Sequence, residues 1–390
     1  MTEMSLETAP HQLTAHRKSL DALTGIRFFA AFYVVLFHTR IASTFAEHGH
    51  QAAGNFFSNG FLAVPLFFLL SGFILAYTYK GQIEKPGDHR RFWEARFARI
   101  WPVYAVSLFS ASATTFTLPP FGTAIATLFM VQAWNPFDLG MAGAWNFVCW
   151  TLSVEALFYL CFPWVQTWIE DRPLKTQLIG IGLMLLICVS INSGSRSLGS
   201  HSPYLFSSVP LPLLHLPEFF TGVGLGNYFS GLFKQTKSAS SGARTLPGRG
   251  IWTYLSVLVT IGLLCRGASP WTSLIVVAFA ALIFGLAAER TLLSRFLSTP
   301  IMLLGGGISY SMYLMQVPVK ILVLLLADRL HYQSQALRMG ATGILLITIS
   351  LILFWAVENP ARRLLRTGFA RLEERREAKQ LVGKQQGRVT

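Results

Sequence analysis

The chain has 390 residues, of which 52% are hydrophobic and only 13% are charged. Soluble domains carry about 25% charged residues, so this composition excludes an ordinary soluble globular protein. The net charge of +14 is frequent in nucleic-acid-binding proteins. Here the positive-inside rule for membrane proteins explains the excess better, so we expect a lipid bilayer and no nucleic acid as partner.

Apolar stretches of about 20 residues recur along the chain, and each is long enough to cross a bilayer as a helix. They predict an all-α, polytopic helical membrane protein with about ten transmembrane helices, at residues 26–45, 58–79, 99–118, 146–169, 175–192, 211–233, 251–266, 271–288, 308–327 and 340–357. The stretch 121–135 is short and flanked by prolines. It predicts a re-entrant or peripheral helix.

The basic residues indicate an orientation. With ten spans and both termini in the cytoplasm, 25 of the 32 lysine and arginine residues lie in cytoplasmic segments and 5 in outer segments. We therefore expect a multi-pass protein of the inner (plasma) membrane. Its predicted parts are a cytoplasmic segment 1–20, a transmembrane domain 21–360 and a basic cytoplasmic tail 361–390. The tail is interpreted as a solvated helix that touches anionic lipid.

Arg27 and His38 are predicted to share one face of the first span, with His38 deep inside an apolar helix. Eleven residues at 100° each bring the two side chains to within about 20° of each other, about 16 Å apart along the axis. Ionisable groups within a membrane are functional candidates. A neutral imidazole is the usual general base at neutral pH. The alternative is a hydrogen-bonded histidine that only packs.

Three further groups of charged side chains stand out. Arg96 and Arg99 precede the third span at a spacing of three residues, which places both on one helix face. Such a pair binds phosphates well, or it anchors the span as a cytoplasmic flank. Glu155 and Glu218 lie within predicted spans. A carboxylate there must be paired, protonated or exposed to water, so each is either functional or part of a structural ion pair.

Small and polar residues complete the candidate set. Ser71-Gly72 forms a notch on the second span, which either allows close helix packing or belongs to a site. Tyr310, Tyr313 and Gln316 follow a predicted turn at 305–307 and either line a polar cavity or pack. Glu358 and Pro360 are interpreted as the end of the last span. Because the sequence has no HExxH, Walker or GxSxG motif, neither a metal site nor a serine hydrolase is expected.

Taken in order, these segments resemble the acyltransferase 3 family of integral membrane O-acyltransferases. The matching features are the Arg27 to His38 spacing, Phe-Phe-Leu-Leu-Ser-Gly-Phe at 67–73, Arg96-x-x-Arg99-Ile-x-Pro-x-Tyr104, Trp150-x-Leu-x-x-Glu155, Pro217-Glu218-Phe219, Ser309-Tyr310-x-x-Tyr313-Leu314 and Glu358-x-Pro360. The resemblance implies transfer of an acetyl or other short acyl group from acyl-CoA to a sugar hydroxyl. Three classes of acceptor are implied. They are an extracytoplasmic polysaccharide (an exopolysaccharide, for example), a lipid-linked glycan and a small glycosylated metabolite.

By position, the resemblance also implies roles for single residues. It matches His38 to the catalytic histidine, Arg27 to its paired arginine, Arg96 and Arg99 to the arginine pair of the cytoplasmic mouth, and Glu155 and Glu218 to polar groups of the membrane core. We predict catalysis by His38, Arg27 and Glu155, acyl-CoA binding by Arg96, Arg99, Ser71 and Tyr104, and acceptor binding by Glu218, Tyr310, Tyr313 and Gln316. Many members of the family have histidine where this chain has Gln316, and glutamine does not titrate. A proton relay at that position is therefore not expected here.

Two functions without chemistry stay open at this stage. A transporter or flippase would show inverted repeats and helices broken near the midplane. The sequence has no such repeat, although glycines 222, 224 and 226 interrupt one span. A membrane sensor or assembly platform would use the same helices only to bind partners. It would not bind acyl-CoA.

Overall fold

The computed structural model of the chain describes residues 20–39, 41–197, 208–239, 250–267, 270–331 and 334–386. Within these ranges the chain forms helices joined by turns, with no strand. The predicted all-α fold is therefore confirmed.

The α-helices of the described residues fall into two groups along the chain. The first group is α1 (Asp21–Phe37), α2 (Ile41–Glu47), α3 (Gln51–Ser58), α4 (Ala63–Tyr79), α5 (Pro86–Thr115), α6 (Phe121–Leu128), α7 (Leu139–Gly143), α8 (Trp150–Glu170) and α9 (Leu174–Ser197). The second group is α10 (Leu211–Leu214), α11 (Leu216–Ala239), α12 (Ile251–Leu264), α13 (Ile275–Ala288), α14 (Leu292–Leu297), α15 (Pro300–Arg329), α16 (Gln335–Leu353) and α17 (Asn359–Gln386). Short 3-10 turns lie at Gly60–Leu62, Phe147–Cys149 and Pro270–Leu274, and a π-helical segment, Phe354–Glu358, joins α16 to α17.

Six helical runs in the described ranges are long and apolar enough to cross a membrane. They are Gly60–Tyr79, Phe147–Glu170, Leu174–Gly194, Trp271–Ala288, Pro300–Arg329 and Gln335–Glu373. Helices α1 and α2, which meet at 66°, give a seventh if they form one bent span. The prediction of a polytopic membrane protein is confirmed.

The predicted number of about ten spans is higher than these six or seven. Three predicted spans account for the difference, and each falls on a helix of the structure. Helices α5 and α11 are long, but polar residues lower their apolarity along the predicted spans 99–118 and 211–233. Helix α12, at the predicted span 251–266, has only 14 residues. The short helix expected at 121–135 is present as α6, which ends at Leu128.

Glycines hold α4 and α11 in direct backbone contact. A Cβ atom added at Gly72 would lie 2.3 Å from the carbonyl oxygen of Phe219, and one added at Gly222 would lie 2.2 Å from that of Leu69. Small residues allow such close approach, which replaces the hydrophobic effect as the source of helix association in lipid. The notch predicted at Ser71-Gly72 is therefore a packing surface on its glycine side.

A second close contact joins α1 to α15. A Cβ atom at Gly306 would lie 2.0 Å from the carbonyl oxygen of Thr24. The predicted turn at 305–307 is wrong, because these glycines lie inside the continuous helix α15. Gly305 and Gly306 allow close packing against Phe28 and Thr24 of α1. This contact brings the Arg27 end of α1 next to the tyrosines of α15.

Helix α1 ends earlier than predicted. Its last residue is Phe37, so His38 caps the C-terminus instead of lying inside the helix. The hydroxyl group of Thr39 donates a hydrogen bond to the carbonyl oxygen of Leu36 (2.6 Å). This bond satisfies one of the carbonyls that a helix end leaves unpaired. The expectation that His38 lies deep inside an apolar helix is corrected accordingly.

Three apolar clusters form the core. The first joins α1, α4, α11 and α13, the second joins α1, α5, α15 and α16, and the third joins α4, α5, α8 and α11. Phe67 packs against the first two clusters, and Tyr159 packs against the last two. Both residues also line one cavity, which therefore lies where the clusters meet.

Candidate active site

A cavity of about 900 Å³, including open space at its mouth, lies between α1, α4, α5, α8 and α15. Its apolar wall consists of Val64, Phe67, Phe68, Leu70, Ile74, Leu75, Ile100 and Leu152. Its polar wall consists of Arg27, Ser71, Arg96, Arg99, Thr151, Glu155, Tyr159, Ser309, Tyr310 and Tyr313. Apolar walls with a few convergent polar groups are typical of small-molecule sites.

The fold brings seven of the eleven predicted site residues to this cavity. They are Arg27, Ser71, Arg96, Arg99, Glu155, Tyr310 and Tyr313. These residues come from five helices that are far apart in the sequence. Their convergence supports the interpretation of the charged membrane residues as one site rather than as separate anchors.

The charge of the cavity is positive. Three arginines and one glutamate stand among its lining residues. The charges of Arg99, Glu155 and Glu358 all act on Arg27, so these side chains share one electrostatic environment. A cleft with excess positive charge and apolar walls concentrates anionic ligands.

Arg96 is held by aromatic rings. Its guanidinium carbon lies 5.7 Å from the ring centroid of Tyr79, 5.8 Å from that of Phe92 and 6.0 Å from that of Tyr159. Its Nη2 atom donates to the hydroxyl oxygen of Tyr79 (3.3 Å). Its Nε atom is buried and makes no hydrogen bond to the described residues. The guanidinium is thus pre-positioned, with donor capacity left for a ligand.

Glu155 has a partner that the sequence analysis missed. The hydroxyl group of Tyr159, one helical turn further along α8, donates a hydrogen bond to Glu155 Oε1. The backbone carbonyl of Tyr159 accepts from Trp93 Nε1 (2.9 Å), which fixes this turn against α5. The i, i+4 spacing of a carboxylate and a tyrosine is the signal that could have found it.

The two predicted tyrosines of α15 reach across the cavity to backbone carbonyls. The hydroxyl group of Tyr310 donates to the carbonyl of Ile100 (2.8 Å). That of Tyr313 donates to the carbonyl of Val148 (3.3 Å). Both rings are therefore fixed, while each hydroxyl oxygen keeps acceptor capacity.

Three predicted site residues do not line the cavity. Tyr104 is buried, and its hydroxyl group donates to the carbonyl of Thr127 (2.6 Å). Glu218 is 3% exposed and is hydrogen-bonded to His215 Nδ1 (2.9 Å), so its partner is a local one and not Arg27. Gln316 is also buried, and its Nε2 atom donates to the carbonyl of Tyr313 (2.9 Å). Donor or acceptor binding by these three residues stays a prediction.

His38 also lies outside the cavity. Its ring meets the ring edges of Phe37 and Phe147, with centroids 4.9 Å and 5.9 Å away. Its backbone carbonyl accepts a hydrogen bond from Lys320 Nζ (2.6 Å). The imidazole makes no hydrogen bond to another residue that the structure describes. Since α1 is continuous from Arg27, the two residues stay about 16 Å apart along its axis.

Glu358 belongs to the charged environment of the cavity, although the sequence analysis interpreted it as a helix end. It is 4% exposed and ends the π-helical segment. The charges of Arg99, Arg362 and Arg27 act on it. Two signals could have found it, namely a carboxylate at a membrane span and a departure from regular α-helix, both frequent at functional sites.

The described residues contain no group of three or more His, Cys, Asp or Glu side chains that could hold a metal ion. The polar groups of the cavity wall are guanidinium, carboxylate, phenol and aliphatic hydroxyl groups.

Known proteins are similar to most of this chain. A family model described as an acyltransferase domain matches residues 20–357. The chain is 27% identical to the acyltransferase MdmB of Streptomyces mycarofaciens over 372 residues, which cover 89% of this chain and 92% of MdmB. It is 26% identical to the O-acetyltransferase OatA of Staphylococcus aureus over 334 residues, which cover 78% of this chain and 51% of OatA.

A third relative is the peptidoglycan O-acetyltransferase OatA of Listeria monocytogenes, 28% identical over 196 residues, which cover 45% of this chain and 29% of the relative. No solved structure matches the chain significantly. The chain thus spans about half the length of the staphylococcal protein. The family match contains every residue of the cavity wall. The protein is an acyltransferase that spans the membrane several times, and it belongs to the acyltransferase 3 family.

Proposed function

We propose that this enzyme transfers an acetyl or other short acyl group from acyl-CoA to a sugar hydroxyl of an extracytoplasmic polysaccharide or lipid-linked glycan. The observation that carries the proposal is the convergence of Arg27, Arg96 and Arg99 on one cavity with apolar walls. That combination suits a donor with phosphates at one end and an uncharged acyl thioester at the other.

The donor side is supported by the position of the arginines. Arg96 and Arg99 lie on the part of α5 that follows the basic segment beginning at Lys85, which the charge distribution places in the cytoplasm. Acyl-CoA would enter there, bind its phosphates to the arginines and extend its thioester along the apolar wall. This orientation also implies cytoplasmic termini and an inner (plasma) membrane location.

The acceptor side is supported by the relatives. Two of them carry O-acetyltransferase in their names, and one name specifies peptidoglycan. The acceptor would approach from the outer face, where the predicted orientation places the His38 end of α1. A polysaccharide or lipid-linked sugar at the outer face would thus react with a donor that enters from the cytoplasmic face.

The proposed reaction is a general-base acyl transfer. His38 takes the proton of the acceptor hydroxyl while its oxygen attacks the thioester carbonyl, and the C–S bond breaks as the tetrahedral adduct collapses. The departing thiolate takes the proton from the imidazolium, so the products are the sugar ester and free CoA. General-base catalysis contributes roughly 10²–10⁴-fold, and positioning and stabilisation of the oxyanion supply the remainder.

A second route uses the same residues, with the imidazole acylated first and the sugar hydroxyl attacking the acyl-histidine. Incubation of the purified protein with labelled acetyl-CoA and no acceptor separates the routes. Label on His38 indicates the covalent route. Absence of label in an enzyme that turns over excludes it.

The test of the function is reconstitution. The purified protein in lipid nanodiscs receives acetyl-CoA together with a de-O-acetylated surface polysaccharide, a lipid-linked glycan or a small glycoside. We expect release of free CoA thiol that depends on one glycan acceptor, with an acetyl mass increase on that acceptor. Transfer only to the small glycoside would replace the proposed acceptor class. No thiol release with any acceptor would contradict the proposal.

A further inference from the structure

We propose that the C-terminal helix α17 forms an outer wall of the donor site, where Arg362 and Arg366 bind phosphate of acyl-CoA beyond the cavity mouth. The inference rests on the proposed function, because it specifies how the same site holds its donor. The family match ends at residue 357. Both arginines therefore lie outside the residues that the family model matches.

Helix α17 lies against the first part of α5. Arg91 Nε donates to Glu373 Oε2 (3.0 Å), which joins an early residue of α5 to the middle of α17. At the other end, the segment Phe354–Glu358, which leads into α17, also packs on α5. The two helices are therefore antiparallel along this contact. The start of α17 lies near the level of Arg96 and Arg99.

The arginines of α17 lie on the side that faces α5. Arg366 follows Arg362 by four residues and Glu373 follows it by eleven, so the three side chains share one face within about 40°. Since Glu373 contacts Arg91, this face is turned to α5. Arg362 is half-buried, whereas Arg366 is exposed. The face thus continues from the protein interior toward solvent.

Among the side chains that the structure describes, positive charges outnumber negative ones around this face. The positive charges of Arg99, Arg366 and Arg96 act on Arg362, with Glu358 as the opposing carboxylate. No ion pair joins Arg362 or Arg366 to an acidic side chain within the described ranges. These positive charges repel one another, and a bound polyanion reduces that repulsion.

The arrangement suits a ligand with more than one phosphate. Arg96 and Arg99 are spaced i, i+3 on α5, and Arg362 and Arg366 are spaced i, i+4 on α17. Guanidinium pairs bind phosphates through parallel hydrogen bonds. CoA carries a diphosphate and, at the nucleotide end, a 3′-phosphate. We assign the diphosphate to the α5 pair, beside the cavity, and the 3′-phosphate to the α17 pair, further out.

The test compares acetyl-CoA with acetyl-dephospho-CoA, which lacks the 3′-phosphate, in nanodiscs of phosphatidylcholine alone. For the wild-type enzyme we expect a lower KM for acetyl-CoA. In the double variant Arg362→Gln/Arg366→Gln, KM for acetyl-CoA should rise roughly tenfold or more. KM for the dephospho donor and both kcat values should stay near wild type.

Arg371→Gln is the matched control. Arg371 is exposed on the same helix, nine residues from Arg362 and therefore about 180° away from it. We expect its KM values to equal those of the wild type. Arg362→Lys keeps the charge but loses the bidentate geometry, so its KM should lie between those of the wild type and the double variant.

Each contrary outcome has a separate meaning. A wild-type enzyme that does not consume acetyl-CoA contradicts the proposed function itself. An active double variant with unchanged KM for acetyl-CoA overturns only the role of α17. An effect of the substitutions that appears solely when phosphatidylglycerol is present would identify a lipid headgroup as the bound phosphate and would also overturn it. Size-exclusion profiles show whether the variants are folded.

Discussion

The rings of Phe67 and Tyr313 both line the cavity, and their centroids lie 6.3 Å apart. Tyr313 is hydrogen-bonded to the carbonyl of Val148. The preceding residue, Phe147, contacts the His38 ring. On α15, Tyr313 is also the lining residue closest in sequence to Lys320, which binds the His38 carbonyl. From these contacts we predict that an acyl group on its way from the cavity to His38 would pass these two rings.

Widening this passage should change the acyl chain that the enzyme prefers. Phe67→Ala removes one of the two rings while leaving the hydrogen bond of Tyr313 in place. We expect the ratio of kcat/KM for butyryl-CoA to that for acetyl-CoA to rise about tenfold, since one or two methylene groups in an apolar pocket have effects of this size. The two donors are compared by thiol release in nanodiscs.

Phe109→Ala serves as the control for this substitution, because Phe109 is 74% exposed on the outer surface of α5. In this variant the ratio of kcat/KM for butyryl-CoA to that for acetyl-CoA should equal the ratio in the wild type. An unchanged ratio in Phe67→Ala would show that the acyl chain does not pass between the two rings.

His38→Gln should abolish acyl transfer without affecting membrane insertion. Glutamine retains a hydrogen-bonding amide but cannot take up a proton at neutral pH, so we expect kcat to fall at least about 100-fold. His50→Gln is the matched control, since His50 is exposed after α2. Acetyl transfer to the acceptor is measured by mass spectrometry. Wild-type turnover in His38→Gln would remove His38 from the mechanism.

The charged part of the site could be predicted from the sequence. Arg27, Arg96, Arg99 and Glu155 interrupt or flank apolar helices, where the cost of desolvation makes each ionisable group conspicuous. Their convergence on one cavity follows from the fold. The sequence analysis did not single out Tyr159 among the many aromatic residues of the chain, because only its i, i+4 spacing from Glu155 signals the hydrogen bond on which its role depends.

Backbone features were harder to predict. Local preference assigned the glycines at 305–307 to a turn, whereas all three lie inside α15, where Gly306 packs against the backbone of Thr24 from α1. Continuous apolarity predicted a helix through His38, although α1 ends at Phe37. Neither local preference nor apolarity indicates which neighbouring helix a residue contacts or where a helix ends within the fold.

Arg96 should be sensitive to the shape of its head group as well as to its charge. Its guanidinium lies among the rings of Tyr79, Phe92 and Tyr159. Arg96→Gln should raise KM for acetyl-CoA roughly tenfold or more, because a charged hydrogen bond to phosphate is lost. Arg96→Lys should be intermediate, since an ammonium group does not stack in the same way.

The control for Arg96 is Arg90→Gln on the same helix. Arg90 is paired with Glu94 (2.7 Å) and does not line the cavity. Its KM should match the wild type. Equal KM values for Arg96→Gln and the wild type would reduce Arg96 to a membrane anchor.

Gly72→Ala should destabilise the contact between α4 and α11. The added methyl group would lie 2.3 Å from the carbonyl oxygen of Phe219, and backbone atoms cannot move aside as a flexible side chain does. We expect a loss of about 1–3 kcal/mol, the usual effect of overpacking, seen as a lower Tm in nanodiscs. Gly262→Ala is the control, because no atom lies within 4 Å of the position of its Cβ. There alanine should raise Tm slightly through its higher helix propensity. Equal Tm changes at both positions would mean that α4 and α11 are not in backbone contact. Because Ser71 lines the cavity beside Gly72, Gly72→Ala should lower acyl transfer as well.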